Sequence, residues 1–330
     1  MNASKNAPWH DIPSFAMIAP HLGRASDLIC KTLMPSESAE ELAPLLDHFI
    51  ARSGKMIRPG LVLLGGACLG PITDEHIRVA AMVEMIHDAT LLHDDVIDDG
   101  QTRRGAPTIN RVWGNESAVL LGDFLLSRVF RMTADLEPPI GRVVAETAVR
   151  VCEGELRQVA QKQNWQLTEA EYISIIADKS AAFFSGCCRL GGLLARAETP
   201  QVEALDRYGL YAGIAFQIVD DLLDISGSEI QTGKTAQCDL NKSKLTLAVI
   251  HLLGAVGASE REKVHVLLNH PAESRHELDA LLAHHGSLDY AHEHARRYVH
   301  KATEALASLP AGDARDALAE TAHFMAHRAA

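Results

Sequence analysis

Residues 91–98 read LLHDDVID and residues 217–224 read QIVDDLLD. Each stretch closes an apolar run with three aspartates at i, i+1 and i+4: Asp94, Asp95 and Asp98, then Asp220, Asp221 and Asp224. Apolar residues recur around both at three- and four-residue spacing, so each is read as the acidic end of a helix. On a helix, i and i+4 share a face, which stacks Asp94 over Asp98 and Asp220 over Asp224. Like charges one turn apart repel by about a few tenths of a kcal/mol. The negative end of the helix dipole adds to that penalty, and apolar surroundings add dehydration. A bound cation removes all three costs. Carboxylate oxygens without thiolates point to Mg²⁺, which takes one or two carboxylates and completes its shell with water and phosphate oxygens. Two such clusters therefore suggest a diphosphate bridged by metal between two helices.

Outward from these motifs, the chain reads as all-α. Alanine and leucine are abundant, aromatics are only 5%, and alternating strand-like runs are scarce. Helical spacing covers 60–69, 75–98, 116–135, 140–162, 169–197, 201–224 and 243–255. Segments 75–98 and 201–224 are apolar on most faces and belong inside a bundle. Pro59 is expected at the first position of its helix, and Gly100 and Gly227 as left-handed caps after the acidic ends. The histidines clustered after about 258 are expected on exposed helix faces. With 330 residues, 47% of them hydrophobic, and no Pro/Gly/Ser-rich linker, one domain over 1–330 is expected, with 1–20 loosely held.

A net charge of −12 argues against nucleic acid as a partner. Six scattered cysteines without a C-x-x-C pair read as reduced thiols. The N-terminus lacks the pattern of a secretory leader, and no apolar run reaches the ~18 residues of a membrane span. A cytoplasmic protein without stable membrane insertion is expected.

An acidic chain that binds diphosphate must concentrate its cations. Residues 54–59 read GKMIRP, which sets Lys55 and Arg58 at a helix start, where free N–H groups favour phosphate. Arg103 and Arg104 follow the first acidic cluster within RRG, and Lys179, Lys234 and Lys244 flank the second. The order GKMIRP, IHDATLLHDDVIDDGQTRRGAPT, FQIVDDLLD resembles the trans-isoprenyl diphosphate synthases, or polyprenyl synthetases, over about residues 40–255. LLGDFLLSR (120–128) and EGELRQ (153–158) also look like segments of that family, and HDATLLHDDVID is most similar to long-chain members such as octaprenyl diphosphate synthases.

The resemblance implies an orthogonal helical bundle of the isoprenoid synthase type around a deep central cavity, usually as a homodimer. It implies that Asp94, Asp98 and Asp220, with their neighbours Asp95, Asp221 and Asp224, hold Mg²⁺ on an allylic diphosphate. Lys55, Arg58, His87 and Arg104 would bind isopentenyl diphosphate. Arg103, Lys179, Ser180, Gln217, Lys234 and Lys244 would hold the allylic diphosphate, and Phe216 would line the reacting centre. Two segments depart from the pattern. The family commonly has Lys-Thr where Lys179-Ser180 stands, and residues 233–244 read GKTAQCDLNKSK, with Cys238, Lys242 and Ser243 where small or acidic residues are usual.

The implied reaction needs no nucleophilic side chain. Diphosphate leaves as an allylic cation develops, the π bond of isopentenyl diphosphate attacks, and a proton is lost, with the departing diphosphate as acceptor. Product length follows from helix geometry. Ala89 and Thr90 lie one turn before Asp94, and Ile86 and Met82 continue the wall; with Ala89 small, the tunnel is expected open over ~10 Å, room for a product of about five to eight isoprene units. A short-chain farnesyl or geranylgeranyl synthase is the alternative within the family. A metal-dependent phosphohydrolase built on His87-Asp88 and His93-Asp94, or a non-catalytic partner subunit, are the alternatives outside it.

Overall fold

Helical spacing becomes helix in the computed structural model, which describes residues 8–35, 37–51, 54–226, 244–269 and 271–326. The α-helices are α1 (Ala19–Leu33), α2 (Ala43–Ile50), α3 (Ile57–Ala67), α4 (Asp74–Ile97), α5 (Ile109–Thr133), α6 (Pro138–Ala160), α7 (Glu169–Ile176), α8 (Ala182–Leu194), α9 (Thr199–Ser226), α10 (Leu247–Ala255), α11 (Ala258–Asn269), α12 (Pro271–His284), α13 (Ser287–Ala305) and α14 (Asp313–Ala326). One short hairpin, β1 (Thr102–Arg103) with β2 (Ala106–Pro107), interrupts them. The fold class is all-α, as the sequence indicates.

The contacts divide the chain into two compact units. The first comprises residues 1–145, 186–206 and 306–321; the second comprises 146–185, 207–305 and 322–330. In the first, α4 packs against α1, α3 and α5. Residues Val79 to Met85 of α4 are buried on every side, which is why that stretch carries almost no polar residue. The helix starts in a capping box, with the Thr73 N–H donating to His76 Nδ1 at 3.2 Å.

The expectation of a loose segment over 1–20 does not hold for 8–20. Trp9, Ile12, Phe15 and Ile18 are all buried, and Ser14 Oγ lies 2.8 Å from Thr321 Oγ1. Their three-residue spacing suits 3₁₀ turns, Pro8–Asp11 and Pro13–Ile18, in which i and i+3 eclipse on one face.

The second unit is built on a core that includes Tyr172, Ile175, Ile218, Leu222, Val249, Leu252 and Leu282. Helix α10 packs there against α7, α12 and α13. Among the histidines after about 258, His294 is half-buried instead of exposed, and His251, which precedes that segment, packs with it on Tyr290. His251 stacks on Tyr290 with centroids 4.1 Å apart, Tyr290 donates its hydroxyl to Glu169 Oε2 at 2.6 Å, and His294 Nδ1 lies 3.4 Å from Glu169 Oε1. The aromatic Tyr290 and the Glu169 acceptor supply apolar faces and a polar end together, which makes partial burial of imidazoles tolerable.

Three local expectations are corrected. Pro59 stands third in α3, not first, because the helix already starts at Ile57 after Met56 in the left-handed region (φ 54°). Its missing N–H still costs nothing there, as the first helical N–H groups have no intrahelical acceptor. The 169–197 helix is broken by a π turn over Ala177–Ala181. At the end of α4, Asp99 (φ 48°) takes the left-handed cap position, and the N–H of Gly100 closes on Asp95 O at 2.8 Å. Gly100 serves close approach instead: a Cβ there would lie 2.7 Å from Asp95 Oδ1. Gly227 lies outside the described residues.

Candidate active site

Within the first unit, the last turn of α4 sorts its three carboxylates. Asp94 and Asp98 are half-buried, whereas Asp95 is buried at 6% exposure. Both oxygens of Asp95 accept from Arg103: Nε reaches Oδ2 at 2.9 Å and Nη2 reaches Oδ1 at 2.7 Å. This is the bidentate fork that suits guanidinium to carboxylate. The hairpin makes it possible. Arg104 (φ 52°) and Gly105 (φ 74°) form a two-residue turn with both central residues left-handed, which aims Arg103 at Asp95. Asn110 Nδ2 donates to Asp95 O and Gly100 O at 3.2 Å each, and Thr108 Oγ1 donates to Gly100 O at 2.7 Å, so the start of α5 holds the motif's turn.

Arg104 lies over Gly54, where a Cβ would come within 2.4 Å of its Nη2 and 3.1 Å of Glu84 Oε1. The same Nη2 stands 3.8 Å from Asp88 Oδ1. Burial pushes the Glu84 carboxyl up to about 8, helped by Asp88 and opposed by Arg58 and Arg104. Burial likewise raises Asp88, to about 6, against the pull of Arg104, Arg58 and Arg103. Glu84 and Asp88 thus form a carboxyl pair among the cations expected for isopentenyl diphosphate. Lys55 and Arg58 are half-buried at the N-terminus of α3, and His87 is half-buried on α4. A cavity of about 50 Å³ in this unit is lined by Asp88, Asp95, Arg103, Arg104 and Thr108, among others. His93 is a packing residue: its Nε2 lies 3.2 Å from Val119 O and 3.6 Å from Asp123 Oδ1.

The four residues expected to line a tunnel separate. Ile86 and Thr90 keep accessible surface, while Ala89 and Met82 have none. Ile86 and Thr90 stand eight and four positions before Asp94. Ala89, the position of the expected opening, is fully buried.

Within the second unit, α9 repeats the sorting. Asp220 and Asp224 are half-buried, and Asp221 is buried at 8% exposure. Asp221 Oδ2 accepts the Tyr172 hydroxyl at 2.5 Å, and Oδ1 accepts Gln217 Nε2 at 2.7 Å. Gln217 Oε1 in turn accepts the Ser180 hydroxyl at 2.6 Å. Lys179 sits in the π turn, donating to Gln158 Oε1 at 2.6 Å and pairing with Glu155 at 3.1 Å. Asp178 anchors the other side of that turn to Arg150 and Arg157. Gly154 allows the approach, since a Cβ there would lie 2.2 Å from Lys179 N. Phe216 packs on Phe184 with centroids 5.1 Å apart, one turn before Asp220. Lys244 is half-buried; Lys234 lies outside the described residues.

Each motif therefore offers two accessible aspartates one turn apart and one anchored between them. Among the described residues, no group of three or more His, Cys, Asp or Glu side chains forms a self-contained metal site. A pair of carboxylate ligands with the rest of the shell left to water and phosphate is the arrangement that suits Mg²⁺, so the donor set fits that ion.

The polyprenyl synthetase family profile matches residues 39–284. The chain belongs to the polyprenyl synthetase family. It is 34% identical over 295 residues to a short chain isoprenyl diphosphate synthase of Methanothermobacter thermautotrophicus, covering 88% of this chain and 91% of that one. It is 34% identical over 285 residues to the octaprenyl diphosphate synthase of Escherichia coli, covering 85% and 88%. A polyprenyl synthase from Caulobacter crescentus, solved with calcium and isoprenyl diphosphate, superposes with a TM-score of 0.90 at 33% identity, covering 96% of this chain and 97% of that one. As a polyprenyl synthetase, the chain is a prenyltransferase whose substrates are isoprenyl diphosphates. Among the described residues, no helix is long and apolar enough to cross a membrane.

Sequence reasoning missed Glu84, Tyr172 and Gly154. Glu84 had a signal, an acid inside the apolar run VAAMVEMI. Tyr172 had none and Gly154 only its place in EGELRQ, because their roles exist only through residues distant in sequence.

Proposed function

We propose that this chain is a Mg²⁺-dependent synthase that condenses isopentenyl diphosphate head to tail with allylic diphosphates, giving a medium- or long-chain all-trans polyprenyl diphosphate. The observation that carries the reading is the sorting of carboxylates in both motifs, with the middle aspartate buried and the outer two half-buried.

Asp94 and Asp98, and Asp220 and Asp224, are assigned to Mg²⁺ on the allylic diphosphate. When bound there, Mg²⁺ supplies Lewis-acid stabilisation of the leaving diphosphate. Asp95 is reassigned from metal ligand to anchor, since both of its oxygens are engaged by Arg103. Arg103 holds Asp95 through Nε and Nη2 and keeps its assignment to the allylic diphosphate. Lys55, Arg58, His87 and Arg104 orient isopentenyl diphosphate so that its π bond faces the allylic carbon, which removes most of the entropic cost of the encounter. Lys179 holds the allylic diphosphate, and Lys244 and Lys234 are assigned to it from the motifs alone. Phe216, half-buried one turn before Asp220 and backed by the buried Phe184, offers the apolar surface that keeps water from the developing cation.

Ile86 and Thr90 are the wall along which the growing chain runs from Asp94. Both are smaller than an aromatic ring, which supports a product longer than farnesyl. A homodimer in the cytoplasm is the assembly we infer. Supporting it, α5 exposes Val112, Leu120 and Phe130, the last at 71%, and α6 exposes Val149, Leu156 and Val159.

The reading is tested by incubating the protein with Mg²⁺, isopentenyl diphosphate and geranyl, farnesyl or geranylgeranyl diphosphate, with products separated by chain length. Elongated all-trans products beyond fifteen carbons support it. Phosphate release without any prenyl product would overturn it.

A further inference from the structure

We propose that Tyr172 is a positioning residue that sets the orientation of the second acidic motif and, through it, of the turn carrying Lys179. The inference rests on the assignment of Asp220, Asp224 and Lys179 to the allylic diphosphate.

Tyr172 is 3% exposed in α7, inside the core of the second unit. For packing alone, phenylalanine would fill that place without a hydroxyl that must find a partner. The hydroxyl is spent on Asp221 Oδ2 at 2.5 Å, the length of a charge-assisted O–H···O⁻ bond. That bond decides the polarity of everything beyond it. With Oδ2 accepting from Tyr172, Gln217 turns its amide NH₂ to Asp221 Oδ1, and its carbonyl faces the other way. The carbonyl only accepts, so Ser180 Oγ must donate to it. A chain of three hydrogen bonds, all with one permitted direction, thus runs from α7 through α9 to the π turn.

Two consequences follow for the site. First, with both oxygens of Asp221 fixed, the rotation of α9 about its axis is pinned at the motif, and Asp220 and Asp224 keep their half-buried, accessible positions. Second, Ser180 has no proton left to offer a phosphate oxygen. Its hydroxyl therefore anchors the turn and does not bind the allylic diphosphate as the resemblance implied. Lys179, its neighbour, is held by Gln158 and Glu155 on the far side, so the turn is fixed from both directions. The network is cooperative by construction: removing the Tyr172 donor takes away the bond at Asp221 Oδ2 and weakens the hold on Gln217 and Ser180 beyond it.

The test is Tyr172→Phe in the full-length enzyme, with Ser180→Ala and the double variant. Each is assayed with isopentenyl diphosphate, an allylic diphosphate and Mg²⁺ varied in turn, and its melting temperature is recorded. Tyr172→Phe is expected to lower kcat/KM for the allylic substrate by about ten- to a hundredfold, the range for a lost hydrogen bond to a charged group. The Mg²⁺ concentration for half-maximal rate should rise, while KM for isopentenyl diphosphate stays within about twofold. The double variant should lose little more than the worse single one. Wild-type allylic and Mg²⁺ parameters in Tyr172→Phe, equal losses for both substrates, or multiplicative losses in the double variant would each overturn the proposal. If Tyr172→Phe does not fold, Ser180→Ala reads the chain from its other end, and unchanged allylic parameters there overturn the proposal as well. A wild-type protein that forms no prenyl product would instead overturn the function on which the inference rests.

Discussion

Replacing Gly154 by alanine inserts one methyl group into the contact between α6 and the π turn. The added Cβ would stand 2.2 Å from Lys179 N, 2.6 Å from Lys179 Cα and 2.8 Å from Asp178 C. All three are backbone atoms, so no side chain can swing aside, and ordinary contact requires a retreat of about 1 Å. Overpacking of this kind costs about 1–3 kcal/mol, which in a chain of this size lowers the melting temperature by only a few degrees. The catalytic effect should be larger. The retreating element carries Lys179 and Asp178, and a displacement of ~1 Å in a substrate-positioning group can cost about 10²-fold in rate. Steady-state kinetics with the allylic diphosphate varied at saturating isopentenyl diphosphate reads the effect, and calorimetry reads the stability. We expect kcat/KM for the allylic substrate to fall at least tenfold with a modest fall in melting temperature. A variant with the expected loss of stability but allylic kinetics within about twofold of wild type would refute the assignment of the π turn to substrate binding.

Arg58→Ala should mainly raise KM for isopentenyl diphosphate and Lys179→Ala should mainly impair the allylic substrate or turnover; titration of each substrate against each variant checks the split. Thr90→Phe, on the accessible wall one turn before Asp94, should shorten the product to about fifteen carbons without abolishing turnover, as read by chromatography. Glu84→Gln tests the buried carboxyl pair through stability. The folded-state value of Glu84 is raised from 4.5 to about 8, so its contribution is fully present below pH 4.5 and is lost as pH rises through about 8. Urea unfolding from pH 5 to 9 should therefore show the variant gaining on wild type as pH rises, by up to a few kcal/mol; parallel curves would show that Glu84 titrates normally.

The helical class, the buried α4 and the position of both acidic motifs were legible from spacing, because apolar periodicity and adjacent carboxylates are local signals. The role of each aspartate within a motif was not. Asp94 and Asp95 are neighbours in sequence, yet one is accessible and the other is clamped by Arg103. That difference depends on a six-residue hairpin whose turn needs Arg104 in the left-handed region, a conformation that Arg-Gly announces weakly. The π turn was invisible for a similar reason. Residues 169–197 keep helical spacing throughout, and the break comes from tertiary bonds at Asp178, Lys179 and Ser180. Ala89 was judged by its size, whereas its burial is set by what packs on it. Trp9, Ile12, Phe15 and Ile18 carried a three-residue period that a search for helix and strand periods passes over.

The central claim is that the outer carboxylates of each motif serve Mg²⁺ on diphosphate while the inner ones do not. Its most direct measurement is the Mg²⁺ dependence of turnover in Asp94→Ala and Asp220→Ala beside wild type, with folding confirmed by circular dichroism. The account predicts folded variants with turnover lower by orders of magnitude and a raised Mg²⁺ requirement in both; near-normal turnover at the wild-type Mg²⁺ concentration in both would contradict it.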